Sequence, residues 1–141
     1  MTSDEQLPAY ITDQGPILNE IGNLLVDLVG TDDGDTLLYV ELQGKAVYGA
    51  IVHDRGKFVE YREFDQSLLE PVIALWRLPP KDKRWVAFKY VIGGKHFRFE
   101  AVYPEEMGPP DGVKDRVVRA TTDKFGRKPV RYIEPEAPAT H

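Results

Sequence analysis

The sequence contains no cysteine, and this absence excludes several classes of site at once. A disulfide framework, a cysteine-ligated zinc or iron–sulfur centre and a thiol nucleophile all need a sulfur atom that the chain does not have. The sequence also has no apolar run approaching the roughly 20 residues of a membrane-spanning helix. Its first residues, MTSDEQLPAYITDQ, lack the basic start and apolar centre of a signal peptide. We therefore expect a cytoplasmic protein that does not bind a membrane.

Positive charge and catalytic signatures are also scarce. Lysine and arginine number 18 against 23 aspartates and glutamates, giving a net charge of −5, which is the wrong sign for a protein that binds phosphates. No phosphate loop, dinucleotide fingerprint or GxSxG elbow occurs. The three histidines, His53, His96 and His141, do not have the spacing of metal ligands. We expect no nucleic acid partner, no cofactor, no metal and no catalytic residue.

The periodicity of apolar residues predicts one domain over residues 1–141, with flexible tails at 1–12 and 134–141. Apolar residues at steps of four, three and four indicate a helix over residues 16–29, with Pro16 at its first position and Gly30 as its C-terminal cap. The remaining predicted elements are strands in TLLYVELQ, AVYGAIVHD and FVEYREF, a helix in FDQSLLEPVIALWRLPP, two strands around Gly93-Gly94 in WVAFKYVIGGKHFRFEAVY, and a helix in VKDRVVRATTDKFG.

This order, α-β-β-β-α-β-β-α, predicts an α+β fold. We expect a five-stranded, mainly antiparallel sheet with the helices on one face. The other face would then lie partly open to water or to a partner.

Acidic residues concentrate in two connectors. The first, TDDGD, holds Asp32, Asp33 and Asp35, and the second holds Glu105 and Glu106. A calcium loop of the EF-hand type needs glycine at its sixth position and glutamate at its twelfth, and neither is found when the count begins at Asp32 or Asp33. If both connectors lie at the same end of the sheet, their combined field would attract a basic protein.

Two other functions stay open at this point. An aromatic-rich curved sheet can enclose a small molecule, and a tyrosine donor with a buried carboxylate of raised pKa would then suit an isomerase or hydratase. The residues available for such an α+β cone are Tyr48, Tyr61, Tyr90, Glu41 and Glu100. The chain could also be a structural or adaptor module with an exposed sheet face.

Several stretches resemble a known family. ILNEIGNLLVDLVG, RWVAFKYVIGGKHFRFEAVYPEEM and FGRKPVRY are similar to the pattern of the YezG-like immunity proteins, which protect bacteria against their own secreted polymorphic toxins. The resemblance spans about Ile17 to Tyr132. It implies a non-enzymatic antitoxin that binds a cognate, basic toxin domain and covers its active site or blocks its substrate path. On this basis the five acidic residues of the two connectors are the candidate docking residues. Oligomeric state is not predicted.

Overall fold

The computed structural model describes residues 9–107 and 112–134. Over these residues the chain forms three α-helices and six strands. They are α1 Ala9–Val29, β1 Thr36–Gln43, β2 Ala46–Asp54, β3 Val59–Glu63, α2 Leu69–Arg77, β4 Ala87–Gly93, β5 His96–Val102, α3 Val113–Phe125 and β6 Val130–Tyr132. The predicted α+β class is therefore confirmed.

The first helix is longer than its apolar spacing predicts. It already includes Ala9, so Pro16 lies inside it and residues 9–12 are helical rather than part of a flexible tail. Proline leaves the carbonyl of Thr12 without its helical donor, but both residues are exposed, so water can bond to that oxygen. The predicted end is correct, because Gly30 follows the helix with a left-handed φ of 88°. The other residues of the two expected tails lie outside the described part of the chain, apart from Glu134.

The strands form one six-stranded sheet in the order β5-β4-β1-β2-β3-β6. Every neighbouring pair is antiparallel except β3 and β6, which are parallel. The prediction of five strands is thus one short. The missed strand has three residues, too few for a period-two pattern. It is held to β3 by bonds from Val59 N to the Pro129 carbonyl, 2.9 Å, and from Ile133 N to the Tyr61 carbonyl, 2.8 Å.

Helices cover both faces of the sheet, so the prediction that all helices lie on one face is wrong. The helices α1 and α2 pack on one face, and α3 packs on the other. The strand β1 shows this arrangement, because Thr36 to Glu41 are all buried. A strand that is covered on both faces has apolar residues in succession rather than in alternation, as Leu37 to Val40 do. The core under α1 and α2 includes Ile21, Leu25, Leu38, Val40, Ile51, Leu75, Phe88 and Tyr90, and the core under α3 includes Leu37, Tyr39, Ala50, Val52, Val117 and Ala120.

Candidate docking surfaces

The first acidic connector joins α1 to β1 and has a well-fixed backbone. Asp54 N donates to the Asp35 carbonyl at 3.0 Å, and Asp33 N donates to Thr31 Oγ1 at 3.0 Å. Gly34 has a left-handed φ of 79°, a conformation that suits glycine in a tight turn. The carboxylates of this connector are therefore carried on a defined loop at one end of the sheet.

The three aspartates of this connector are not equivalent. Asp32 and Asp33 are exposed, whereas Asp35 is half-buried and pairs with Lys124 Nζ of α3 at 2.8 Å. Asp35 also packs against Gly93, where any side chain would collide with its carboxylate. Asp35 is thus part of the packing, and only Asp32 and Asp33 present negative charge freely to solvent.

The second acidic connector lies at the opposite end of the sheet. Thr36 at the start of β1 lies level with Phe97 of β5, whereas Glu41 lies level with Val102 at the end of β5. The two ends are separated by five residue steps, or about 17 Å along the strands. Glu105 and Glu106 therefore do not form one patch with the first connector.

Glu105 and Glu106 form a short 3₁₀ helix after β5, and both are exposed. The Glu106 carboxylate accepts a bond from Tyr103 N at 2.9 Å, so it caps this turn. Glu106 thus has a structural role, because its carboxylate satisfies the backbone N–H of Tyr103. Asp111, which follows in the same connector, lies outside the described residues.

Beside the first connector lies a cleft between α1 and the β4–β5 hairpin, with a volume of about 530 Å³. Its walls include Asp27 of α1, Asp32 of the connector and Phe97 of β5. We call this cavity the acidic cleft. The Phe97 ring is 37% exposed and stacks on buried Tyr90 with ring centroids 5.3 Å apart. The cleft thus combines two carboxylates with an accessible aromatic ring.

Asp27 and Phe97 were missed as site residues by reasoning from the sequence. A signal for Asp27 was available, because Asn19, Asn23 and Asp27 recur at steps of four and so share one polar stripe of α1. All three line the cleft. Phe97 was recognised only as part of an alternating strand, because the sequence does not show which of the β5 rings stays exposed.

A buried ion pair joins the sheet to α3. Glu41 is 1% exposed and receives two bonds from Arg116, one from Nε to Oε2 and one from Nη2 to Oε1 at 2.8 Å. Tyr39 Oη and Gln43 Nε2 also donate to this carboxylate, at 2.5 and 3.1 Å. Burial alone would raise the pKa of Glu41, but the bonds from Arg116, Tyr39 and Gln43 outweigh it and lower the pKa.

The five residues proposed for an enzymatic cone lie on two faces of the sheet, although Tyr48 of β2 is the cross-strand neighbour of Glu41. Tyr90 lies under α1 and donates to the Leu18 carbonyl at 2.8 Å, and burial raises its pKa. Tyr61 packs on the other face, under α3. The pKa of Glu41 is lowered rather than raised. Glu41 is therefore not the buried carboxyl group of raised pKa that this alternative expects.

His53 is buried next to the first acidic connector. Its Nδ1 lies 2.7 Å from Thr36 Oγ1, and its Nε2 has no hydrogen-bond partner among the described residues. Burial, assisted by the positive charge of Arg55, lowers the pKa of this imidazole. His53 is therefore held neutral, with one bond, under the loop that carries Gly34. Among residues 9–107 and 112–134, no group of three or more acidic or histidine side chains is placed to hold a metal ion.

Comparisons with known proteins do not assign the chain to a family. A scan of protein-family models finds no match, and a search of curated proteins finds none either. Within the described residues, none of the helices combines the length and apolarity that crossing a membrane requires. The resemblance to YezG-like immunity proteins accordingly stays an expectation, carried by the stretches quoted above.

Proposed function

We propose that this chain is an immunity protein that neutralises a toxin domain by binding it one to one. The observation that carries the proposal is the acidic cleft, where Asp27, Asp32 and Phe97 line one cavity of about 530 Å³. A cavity of this size suits an arginine or lysine side chain, and the net charge of −5 suits a basic partner.

The chemistry of the cleft favours arginine. A guanidinium group can lie over an aromatic ring while its N–H groups bond to carboxylates, and an ammonium group does this less well. Phe97 offers an accessible ring that is already held by stacking on Tyr90. Asp27 lies in the last turn of α1, where the helix dipole disfavours negative charge, so helix stability does not explain its presence. Binding of a partner's cationic side chain does explain it.

Binding at this position would inhibit a toxin that uses arginine or lysine to hold phosphate. The cationic side chain would be withdrawn from its substrate, and the body of the immunity protein would cover the surface around it. Lys95 also lines the cleft and has to turn toward solvent when a partner cation enters. Long-range attraction to Asp27, Asp32 and Asp33 would speed the first encounter.

The test begins with capture of the partner. A tagged copy of the chain is incubated with its native cytosol, washed at low salt, and any one-to-one protein partner is identified by mass spectrometry and measured by calorimetric titration. Recovery of a basic toxin domain whose activity is abolished at equimolar ratio supports the proposal. Failure to recover any such domain contradicts it.

Kinetics then locate the surface on this chain. The paired change Asp32→Lys with Asp33→Lys should slow association about tenfold at low salt. The effect should shrink as salt is added, because both side chains are exposed and salt screens their attraction to the partner. The matched control is Glu105→Lys with Glu106→Lys, which makes the same charge change at the other end of the sheet. If the control pair slows association and the first pair does not, the toxin binds at the end of the sheet that carries Glu105 and Glu106, and the proposed docking surface is wrong. Phe97→Ala should act instead on the dissociation rate.

A further inference from the structure

The third helix leaves part of its sheet face uncovered. It packs mainly against β1 and β2, and the face of β3 and β6 next to it forms the floor of a groove of about 690 Å³. We call this the α3 groove. Its floor includes Val59, Tyr61, Val130 and Tyr132, and its wall includes Val118. A sheet face and a helix flank that both carry apolar residues normally bury them against another element.

Three large apolar side chains of the α3 groove are exposed to solvent. Tyr132 is 72% exposed, Val118 62% and Val130 42%, and these three side chains line the same groove. Single exposed apolar residues are common, but a contiguous group of them marks a binding surface. They therefore indicate a site for an apolar partner.

The shape of the groove suits a helix. It follows α3 from Lys114 to Gly126, which are twelve residues apart, so it is about 18 Å long. A second helix lying beside α3 on the same sheet face would continue the layer that α3 begins. About three turns of helix would fill this length.

The charge of the groove differs from that of the whole chain. Four cationic and two anionic side chains line it, although the chain carries a net charge of −5. Lys114 lies near one end and Arg127 near the other. Both are exposed, and neither forms an ion pair with any residue in the described part of the chain. The groove thus favours an apolar partner that carries acidic groups.

We propose that the α3 groove binds one amphipathic helix of a partner protein, with its apolar stripe on Val118, Val130 and Tyr132 and its acidic side chains on Lys114 and Arg127. This partner is distinct from the basic toxin proposed above. The acidic cleft lies between α1 and the β4–β5 hairpin, whereas the α3 groove lies on the other face at the β3–β6 edge. The two sites can be occupied together, and the second does not rest on the first.

The probe for this site is a synthetic 15-residue helical peptide with leucine at steps of three and four and glutamate at the other positions. A matched peptide carries lysine in place of every glutamate. Binding to the full chain is followed by fluorescence anisotropy and by amide chemical shifts. The glutamate peptide should bind at least about tenfold more tightly than the lysine peptide, and the largest shifts should fall on α3 and β6.

Substitutions in the α3 groove test which side chains contact the peptide. Tyr132→Ser should weaken the glutamate peptide about tenfold, because exposed aromatic residues often contribute most of the binding energy at an interface. Lys114→Glu with Arg127→Glu should reverse the preference between the two peptides. The matched control is Tyr48→Ser, which removes a tyrosine that is 45% exposed and does not line the groove. Unchanged melting temperatures show that each variant is folded.

Several results would overturn the proposal. Equal affinity for the two peptides, no binding, or no effect of Tyr132→Ser would each do so. A dimer in sedimentation that Tyr132→Ser dissociates would make a second copy the occupant instead. Much tighter peptide binding by a chain ending at Glu134 would make residues 135–141 the occupant.

Discussion

Replacing Arg116 tests the buried ion pair that fastens α3 to the sheet. Arg116→Met keeps most of the aliphatic stem of the side chain but removes the guanidinium that bonds to both oxygens of Glu41. The Glu41 carboxylate, 1% exposed in the native protein, then keeps the bonds from Tyr39 and Gln43 but loses both bonds from Arg116. An uncompensated buried charge is costly, so the variant should be strongly destabilised.

The size of the loss follows from burial. Breaking a buried pair by removing one partner costs about 3–5 kcal/mol, which for a chain of this length lowers the melting temperature by about 10 °C. The matched control on the same helix is Lys124→Met. Its pair with Asp35 is also close, at 2.8 Å, but the two side chains are 31% and 43% exposed. Exposed pairs contribute at most about 1 kcal/mol, so the control should cost much less.

The destabilisation caused by Arg116→Met should also depend on pH, in a direction that the pKa of Glu41 determines. In the native protein the pKa of Glu41 is lowered, so its contribution to stability is present above its unfolded pKa and is lost as pH falls through the folded value. Without Arg116, burial acts with less opposition and should raise this pKa above the unfolded value. The buried carboxyl group then takes up a proton in mild acid, and the penalty of Arg116→Met should shrink between neutral pH and about pH 5.

The assay is urea unfolding of the native chain, Arg116→Met and Lys124→Met across this pH range, followed by circular dichroism. A third variant, Glu41→Gln combined with Arg116→Met, should regain part of the lost stability because it removes the buried charge. Equal losses for Arg116→Met and Lys124→Met would refute the reasoning. A penalty that does not change with pH would refute the account of Glu41.

Two further predictions concern stability. His53→Gln should flatten the dependence of unfolding free energy on pH between about 7 and 5, because burial lowers the pKa of His53 and its contribution is lost as pH falls below the unfolded value; an unchanged slope in urea titrations would contradict this. Gly49→Ala should destabilise the protein by about 1–3 kcal/mol, since its Cβ would come within 3.0 Å of the Tyr39 carbonyl oxygen in the neighbouring strand. Gly15→Ala is the control, because its Cβ meets nothing within 4 Å, and equal melting temperatures for the two variants would refute the steric reasoning.

The elements with a strong periodic pattern could be predicted from the sequence. The first five strands and all three helices were located, because helical spacing and runs of β-branched, aromatic and leucine residues between turn signals are local properties of the sequence. Gly126, the last residue of the stretch predicted as the third helix, directly follows α3 with a left-handed φ of 77°. The strand β6 could not be found in this way, because three residues held by parallel pairing to β3 depend on where the chain returns.

The layer arrangement was predicted wrongly, although the sequence contained a clue. The run TLLYV at the start of β1 has no polar alternation, which is typical of a strand covered on both faces. The sequence of β5 favours the opposite interpretation, because His96, Arg98 and Glu100 alternate with apolar residues, as in a strand with one face in water. These residues are exposed because β5 is an edge strand, whereas α3 covers the centre of the sheet.

The acidic connectors show what sequence alone cannot supply. Each was recognised from composition, but their relation depends on strand direction and register, and these place them at opposite ends. Composition also treats Asp32 and Asp35 alike, although only Asp35 is fixed by Lys124. The acidic cleft arises where α1, the first connector and β5 meet, so none of the three segments predicts it separately.

The opposite placement of the two proposed sites makes their failures distinguishable. A toxin bound at the acidic cleft should respond to Asp32→Lys with Asp33→Lys and should be indifferent to Tyr132→Ser. A helix bound in the α3 groove should show the reverse pattern. If both changes weakened the same partner, that partner would have to extend across the sheet from the β5 edge to the β6 edge. Such a contact would bury far more than the standard 800 Å² or so on each side, and the heat capacity change on binding would be correspondingly large.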